Sequence, residues 1–445
     1  MTHWTRREFL AASALAAAAQ DAPKTPAAPA RDRPADAPAD RPAHVGANDK
    51  ITLGFIGTGG MGTGLINTFK KFPQVQIAAV CDVYEPHRLR AQSAAGGAPE
   101  IHGDFRRVLD RKDIDAVVIA TPDHWHAIIA IMACQAGKDV YCEKPLGHRI
   151  QETRAMVTAA EKAGRVTQMG NLMHAGENYH RVVEIVRSGV LGKISKTRVW
   201  MAADVAHRAL GRPADAPPPP GCDYDFWLGP APNRTFNPNR FTFNWRYFWD
   251  YGGGILMDFC CHIIDLVHWA MDVEAPRTIS AVGGRYSLDD NGEVPDTLEV
   301  AYEYQKGDQK FLMAWSQTDA NAHGIENQGL GIMFQGTEAT LVADYNRYRI
   351  IPEKGRGTVD EPPKTLPRSV GHHREWLDAI ATRSPCSCHF GYGHRLTSVG
   401  HLGNISLWSG EKLHWDPVAE RITNHEAANQ YLTKEYRKPW TLPTV

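Results

Sequence analysis

The chain has almost no net charge: 49 Lys and Arg stand against 50 Asp and Glu in 445 residues, a formal balance of −1. A dedicated binder of nucleic acid or of anionic membrane would show a basic excess, so neither partner is expected. Cysteine is sparse. The eight, at positions 81, 134, 142, 222, 260, 261, 386 and 388, include no Cys-x-x-Cys pair and no spacing that would make a disulfide scaffold. The apolar stretch near the start is about 11 residues, against the ~20 needed to span a bilayer, so no membrane span is expected. No internal repeat of solenoid length is visible either. What remains is an ordinary globular composition, 43% hydrophobic and 22% charged. A chain this long makes two to three domains at ~150 residues each.

The first residues read as an address. Thr5-Arg6-Arg7-Glu8-Phe9-Leu10 precede a run of small apolar residues ending at Ala19. An arginine pair ahead of a weakly hydrophobic stretch predicts a twin-arginine export signal over 1–19 and a periplasmic location. Residues 20–48 are rich in Ala, Pro and Asp and nearly devoid of large apolar side chains. Such a stretch buries too little to offset its ordering entropy and reads as a semi-extended linker.

A buried parallel strand fits Ile51-Thr-Leu-Gly-Phe-Ile-Gly57, and it runs straight into Gly57-Thr58-Gly59-Gly60-Met61-Gly62. These glycines match G-x-G-x-x-G, which turns tightly and brings a helix N-terminus to a pyrophosphate. A second apolar strand ends at Asp82, twenty residues past Gly62, where a carboxylate meets ribose hydroxyls and repels a 2′-phosphate. NAD is therefore the expected cofactor, with Arg88 near enough in sequence to leave NADP open. Strands at 115–121, 138–144 and 165–171 alternate with helices at 123–136 and 150–163. That alternation predicts an α/β fold with a doubly wound parallel sheet over 50–171. Ligands bind at the carboxyl ends of such strands. The rule points to Thr121-Pro122-Asp123-His124-Trp125-His126, Glu143-Lys144-Pro145 and Met169-Gly170-Asn171.

A second motif is Gly252-Gly253-Gly254-Ile-Leu-Met-Asp258-Phe-Cys-Cys-His262. Its acid and histidine are spaced i, i+4 and share one helix face. Together, Gly57–Gly62, Glu143-Lys144-Pro145 and this segment resemble the glucose–fructose oxidoreductase, inositol dehydrogenase and MocA superfamily over about residues 50–415. The resemblance implies an N-terminal Rossmann domain and, over 172–445, a C-terminal α/β substrate and oligomerisation domain with an open, mostly antiparallel sheet. It places Lys144, Asp258 and His262 at the catalytic positions, and Thr121, Pro122, His126, Glu143 and Asn171 against the dinucleotide. It implies a carbohydrate substrate and a homo-oligomer, dimer or tetramer. The residue types suit removal of a hydroxyl proton as hydride leaves the carbon. His262 serves as base, Lys144 stabilises alkoxide charge, Asp258 orients substrate or tunes the histidine, and Glu143 positions Lys144.

The second half predicts a helix at 177–188 and strands at 194–202, 277–286, 296–304, 309–317, 329–335 and 339–345. Between the first two strands, residues 203–251 make a long Pro-rich connection, and 223–251 hold eleven of the chain's forty aromatics. Such density marks ordered chain, and aromatic faces suit the C–H faces of sugars while most rings build local core. Arg246, Trp249 and Tyr251, just ahead of the catalytic helix, are the substrate-side candidates, with His372 and His373 as further cleft residues. Neither the histidine pairs nor Cys386-Ser-Cys388-His389 has zinc spacing, so no metal is expected. Export of already folded protein permits a cofactor loaded before transport and kept, and a retained cofactor must be reset at the site. That leaves net sugar oxidation, redox-neutral glycoside cleavage through transient oxidation, or a sugar-binding protein without catalysis; the intact Lys144, Asp258 and His262 set favours the first.

Overall fold

The computed structural model describes residues 50–204 and 209–445; the predicted export signal and linker lie outside the described residues. The first half alternates without exception: β1 (Ile51–Ile56), α1 (Gly60–Phe69), β2 (Val75–Cys81), α2 (Glu85–Ala95), β3 (Glu100–His102), α3 (Phe105–Asp110), β4 (Ala116–Ile119), α4 (Asp123–Gln135), β5 (Asp139–Cys142), α5 (Ile150–Ala163) and β6 (Thr167–Met169). The strands lie in the order β3-β2-β1-β4-β5-β6, every neighbouring pair parallel. Helices cover both faces, which is why strands such as Ala-Val-Val-Ile in β4 are apolar at every position and wholly buried. The direction of winding reverses between β1 and β4, and a crevice opens beyond their carboxyl ends.

The second half contributes α6 (Glu177–Arg187), β7 (Lys196–Ala202), α7 (Tyr224–Leu228), α8 (Gly254–Met271), β8 (Thr278–Gly284), β9 (Thr297–Lys306), β10 (Gln309–Thr318), β11 (Leu330–Gln335), β12 (Ala339–Ala343), β13 (Tyr348–Pro352), α9 (His372–Thr382), α10 (Phe390–Ser409), β14 (Leu413–Asp416) and β15 (Arg421–Ile422). Its nine strands run β13-β12-β11-β7-β10-β9-β8-β14-β15. All pairs are antiparallel except β7 with β10. In β9, Leu298, Val300, Tyr302 and Tyr304 are buried while Glu299 and Glu303 are exposed, the alternation of a sheet with one covered face. Helix α8 lies among the elements on that covered face, packed against α6 and α10. It is long and apolar enough to cross a membrane, yet 83% of it is buried inside the protein, as befits a core helix.

Two excursions join the halves. Helix α9 returns to the Rossmann sheet, where Trp376, Leu377 and Ile380 share one core with Ile51, Phe55, Phe69 and Tyr141. The aromatic connection reaches back to the end of β2. Asp223 donates its N–H to the Val83 carbonyl at 3.0 Å, and Glu85 donates to Gly221 at 2.9 Å. The connection is ordered over its described residues because it carries its own core of Trp227, Phe236, Phe241, Trp245, Phe248 and Tyr251.

Candidate active site and dinucleotide cleft

A cleft of about 770 Å³ starts at the crevice between β1 and β4 and ends against α8. The glycine turn forms one wall. Gly57 has φ +82°, and a Cβ there would sit 2.6 Å from the Thr121 nitrogen. At Gly62 a Cβ would meet the Gly57 carbonyl oxygen at 2.0 Å. Only glycine allows this turn to close, and Gly59, Gly60 and Met61 then face open cleft at the start of α1. The N-cap of α1 has no side-chain hydrogen bond, so its first N–H groups stay available to an anion. Asp82 lines the cleft at the tip of β2, fixed by the N–H groups of Thr58 at 2.7 Å and Tyr84 at 2.9 Å. These residues suit a dinucleotide: a glycine cradle, free helix donors and a pinned carboxylate where a ribose would lie. Arg88 is turned away, donating to the Asp82 carbonyl at 2.8 Å, while His87 and Arg90 line the wall.

At the other end, Lys144 follows β5 and reaches α8. Its Nζ donates to the Asp258 carboxylate at 2.7 Å and to the Asp258 carbonyl at 2.7 Å. Arg246 Nε donates to the same carboxylate oxygen at 3.1 Å, with its guanidinium over the Trp245 ring at 4.3 Å. Burial opposes the Asp258 charge, but Lys144 and then Arg246 hold its pKa well below the carboxylate range. Burial and then the Lys144 charge push the His262 imidazole down to about 3, with Asp258 opposing. Burial pushes Glu143 up to about 7 against the pull of Lys144. Gly170 leaves room for the Glu143 carboxylate, since a Cβ there would sit 2.6 Å from it.

The structure brings Thr121, Pro122, Glu143, Lys144, Arg246, Asp258 and His373 onto one cleft with the glycine turn. Other expected contacts lie elsewhere. Thr58 is buried, its N–H spent on Asp82. His126 is buried under the cleft, its two nitrogens each 2.9 Å from the carbonyl oxygens of Pro145 and Thr121, where it ties two loops together. Asn171 is also buried, 3.0 Å from His262, and His262 sits one turn beyond Asp258, half-buried and not among the residues that line this cleft. Tyr251 does not face the cleft: it is fully buried against Trp227 and His124, in the core that orders the aromatic connection. Trp249 packs edge-on against Trp408 on α10. His372 is sealed beside Tyr141, and His373, although it reaches the cleft, stacks on the same ring; both are held by the docking of α9 on the Rossmann core.

Sequence reasoning left three features without a role. Asp123, at the start of α4, lines the cleft with a buried oxygen lacking a partner, and burial drives its pKa well up. Phe226, Phe241 and Phe243 supply an aromatic wall that the aromatic count located only as a region. Asp265 lies three residues beyond His262 on the same helix face, a spacing that the sequence does display.

A parallel sheet with a glycine cradle, whose Lys144 pairs with Asp258 on a second, mixed-sheet domain, defines the dinucleotide-dependent oxidoreductase class. Comparison with known proteins narrows this. The NAD-binding Rossmann-fold pattern of an oxidoreductase family matches residues 51–171, and the C-terminal alpha/beta domain pattern of the same family matches 176–442. The chain belongs to the glucose–fructose oxidoreductase, inositol dehydrogenase and MocA family. It is 35% identical over 159 residues to a glycosyl hydrolase family 109 protein of Solibacter usitatus, a match covering 33% of this chain and 36% of that one. The chain thus spans about a third of the length of such curated relatives. It is 23% identical over 301 residues to the oxidoreductase YrbE of Bacillus subtilis, covering 67% of this chain and 75% of that one. The WlbA dehydrogenase of Bordetella pertussis, solved with NADH and UDP-GlcNAcA, shares the fold with a TM-score of 0.62 at 20% identity, covering 82% of this chain and 99% of that one. Levoglucosan dehydrogenase, solved with NADH, shares it with a TM-score of 0.59 at 21% identity, covering 82% and 99%.

Proposed function

We propose that the protein is an exported NAD(P)-dependent oxidoreductase acting on a hydroxyl carbon of a sugar, glycoside or cyclitol, with its dinucleotide retained between turnovers. The observation that carries this reading is Lys144, held on Asp258 in the cleft that begins at the glycine turn. A bound dinucleotide would lie along Gly57–Met61 and Asp82 and would supply the hydride acceptor. Lys144 offers N–H donors to the reacting oxygen and stabilises charge as its proton departs. His262, neutral at any pH above about 3, has a lone pair ready for that proton. Asp258 keeps Lys144 and Arg246 converged. Asp82 disfavours a 2′-phosphate and so favours NAD.

Retention is supported by the aromatic connection, which crosses to the end of β2 and lays Phe226 and Phe241 along the cleft beside Asp82. The twin-arginine pattern Arg6-Arg7 supports export, and that route carries folded protein with its cofactor in place. The similarity to a family 109 glycosyl hydrolase favours a second reading, glycoside cleavage through transient oxidation, over the matched third of the chain. Denaturing the purified exported protein and weighing what it releases is the first test: about one NAD per chain supports the proposal, none refutes retention. A sugar panel follows. Absorbance of reduced nicotinamide on sugar addition marks oxidation, whereas aglycone release without net cofactor change marks cleavage. His262→Ala is expected to abolish turnover while leaving dinucleotide bound; unchanged turnover would remove His262 from the mechanism.

A further inference from the structure

Behind His262 lies a chain of polar groups that composition and motif left unassigned. Asp265 is fully buried on α8 and accepts three hydrogen bonds. Asn171 Nδ2 donates to it at 3.0 Å, His174 Nδ1 lies 3.0 Å away, and the Tyr392 hydroxyl donates to its other oxygen. Asn171 is itself fully buried, and its Oδ1 lies 3.0 Å from His262 Nδ1. His262 Nε2 has no partner among the described residues and is not sealed from solvent.

Donor and acceptor rules fix the orientation of every member. A carboxylate only accepts, so Asn171 must turn Nδ2 toward Asp265. That leaves its carbonyl facing His262, and a carbonyl also only accepts. His262 must then carry its proton on Nδ1. The reverse amide flip would set two oxygens against each other in a sealed site, at the cost of an unmade buried hydrogen bond. Burial opposes charge on His174, yet the Asp265 carboxylate and its hydrogen bond carry the His174 pKa above its ordinary value. The His174 ring also stacks on Trp269, with centroids 4.2 Å apart. Asp265 and His174 thus form a buried pair set back from the cleft, with Asn171 between Asp265 and His262.

We propose that Asp265, acting through Asn171, is the positioning residue that sets the His262 tautomer, protonating Nδ1 and leaving the Nε2 lone pair free to take a proton. The inference rests on His262 as base, but its test needs no substrate. The full-length protein is labelled with 15N-histidine, and long-range proton–nitrogen correlations are recorded at pH 7. His262 is assigned as the signal missing from His262→Gln. The expected pattern is that of an Nδ1–H imidazole. In Asp265→Asn, whose amide no longer dictates the Asn171 flip, and in Asn171→Leu, which removes the acceptor, the pattern is expected to shift toward Nε2–H or a mixture. In parallel, kcat falls at least tenfold with KM and bound dinucleotide unchanged. An Nε2–H imidazole in the unmodified protein would overturn the proposal, as would an unchanged Nδ1–H pattern in both variants. A protein with the expected tautomer that oxidises no sugar would refute the sugar reading and leave the relay standing.

Discussion

Asp258→Asn isolates the charge at the centre of the site while keeping its shape. The carboxylate takes Lys144 Nζ at 2.7 Å and Arg246 Nε at 3.1 Å on one oxygen, and an amide oxygen in the same place still accepts both. What disappears is the negative charge between two cations. Removing one member of a buried ion pair costs roughly 3–5 kcal/mol. Retaining two hydrogen bonds at about 1 kcal/mol each returns part of that, for a net loss of about 2 kcal/mol. Spread over a domain of this size, that lowers the thermal midpoint by about 4–8 °C. The pH dependence supplies the sharper check. The folded pKa of Asp258 is depressed below the unfolded value of ~3.9, so its stabilisation is complete above about pH 5 and fades as pH falls through 4 toward the folded value. Urea unfolding of both proteins between pH 3 and 8 is the assay. The gap between them is expected to be flat from pH 5 to 8 and to narrow below pH 4. A variant as stable as the parent at pH 7, or a gap that persists undiminished at pH 3, would refute the reasoning.

Other outcomes follow from single contacts. Gly62→Ala places a methyl 2.0 Å from the Gly57 carbonyl, so the variant is expected to fold yet be purified without dinucleotide, as read by the mass of what denaturation releases. Glu143→Gln removes a group whose pKa rises to about 7 on folding. Because the folded state then binds more protons between about pH 4.5 and 7, the parent loses stability across that range. The glutamine variant's advantage in urea midpoint should grow over the same interval and level off above pH 8. Trp249→Ala removes the packing on Trp408, so its melting temperature is expected to fall with sugar KM unchanged; a KM rise without destabilisation would return Trp249 to the substrate side.

The elements that sequence reading located most surely are those whose burial needs no partner to explain. Ala116–Ile119 is apolar throughout, and Ile51–Ile56 is so apart from Thr52, because both faces of a parallel strand are covered, and they emerge near their expected limits. The glycine turn was legible because its steric demands are local. The short strands Glu100–His102 and Arg421–Ile422 carry no period to read. The site divides in the same way. Lys144 and Asp258, 114 positions apart, could be paired only through the resemblance, yet they lie in contact. Tyr251 and His372 read as cleft residues because they neighbour the right segments, but backbone direction turns them into core. The Asn171 to Asp265 bond spans 94 positions, and no local pattern announces it.

The return of α9 to the Rossmann sheet bears on the order in which the molecule can be made. Tyr141 and Phe69 find their cover in Trp376 and Leu377, synthesised more than two hundred residues after β6. At roughly 5–20 residues per second, translation leaves that face of the sheet bare for about 10–40 s. The nascent dinucleotide domain therefore waits, with an apolar face unmet, for a helix still inside the ribosome or not yet encoded into chain. A fragment ending at Asn171 would carry that exposed face permanently, and chaperone capture of the growing chain should peak in this interval and cease once Ile380 has emerged.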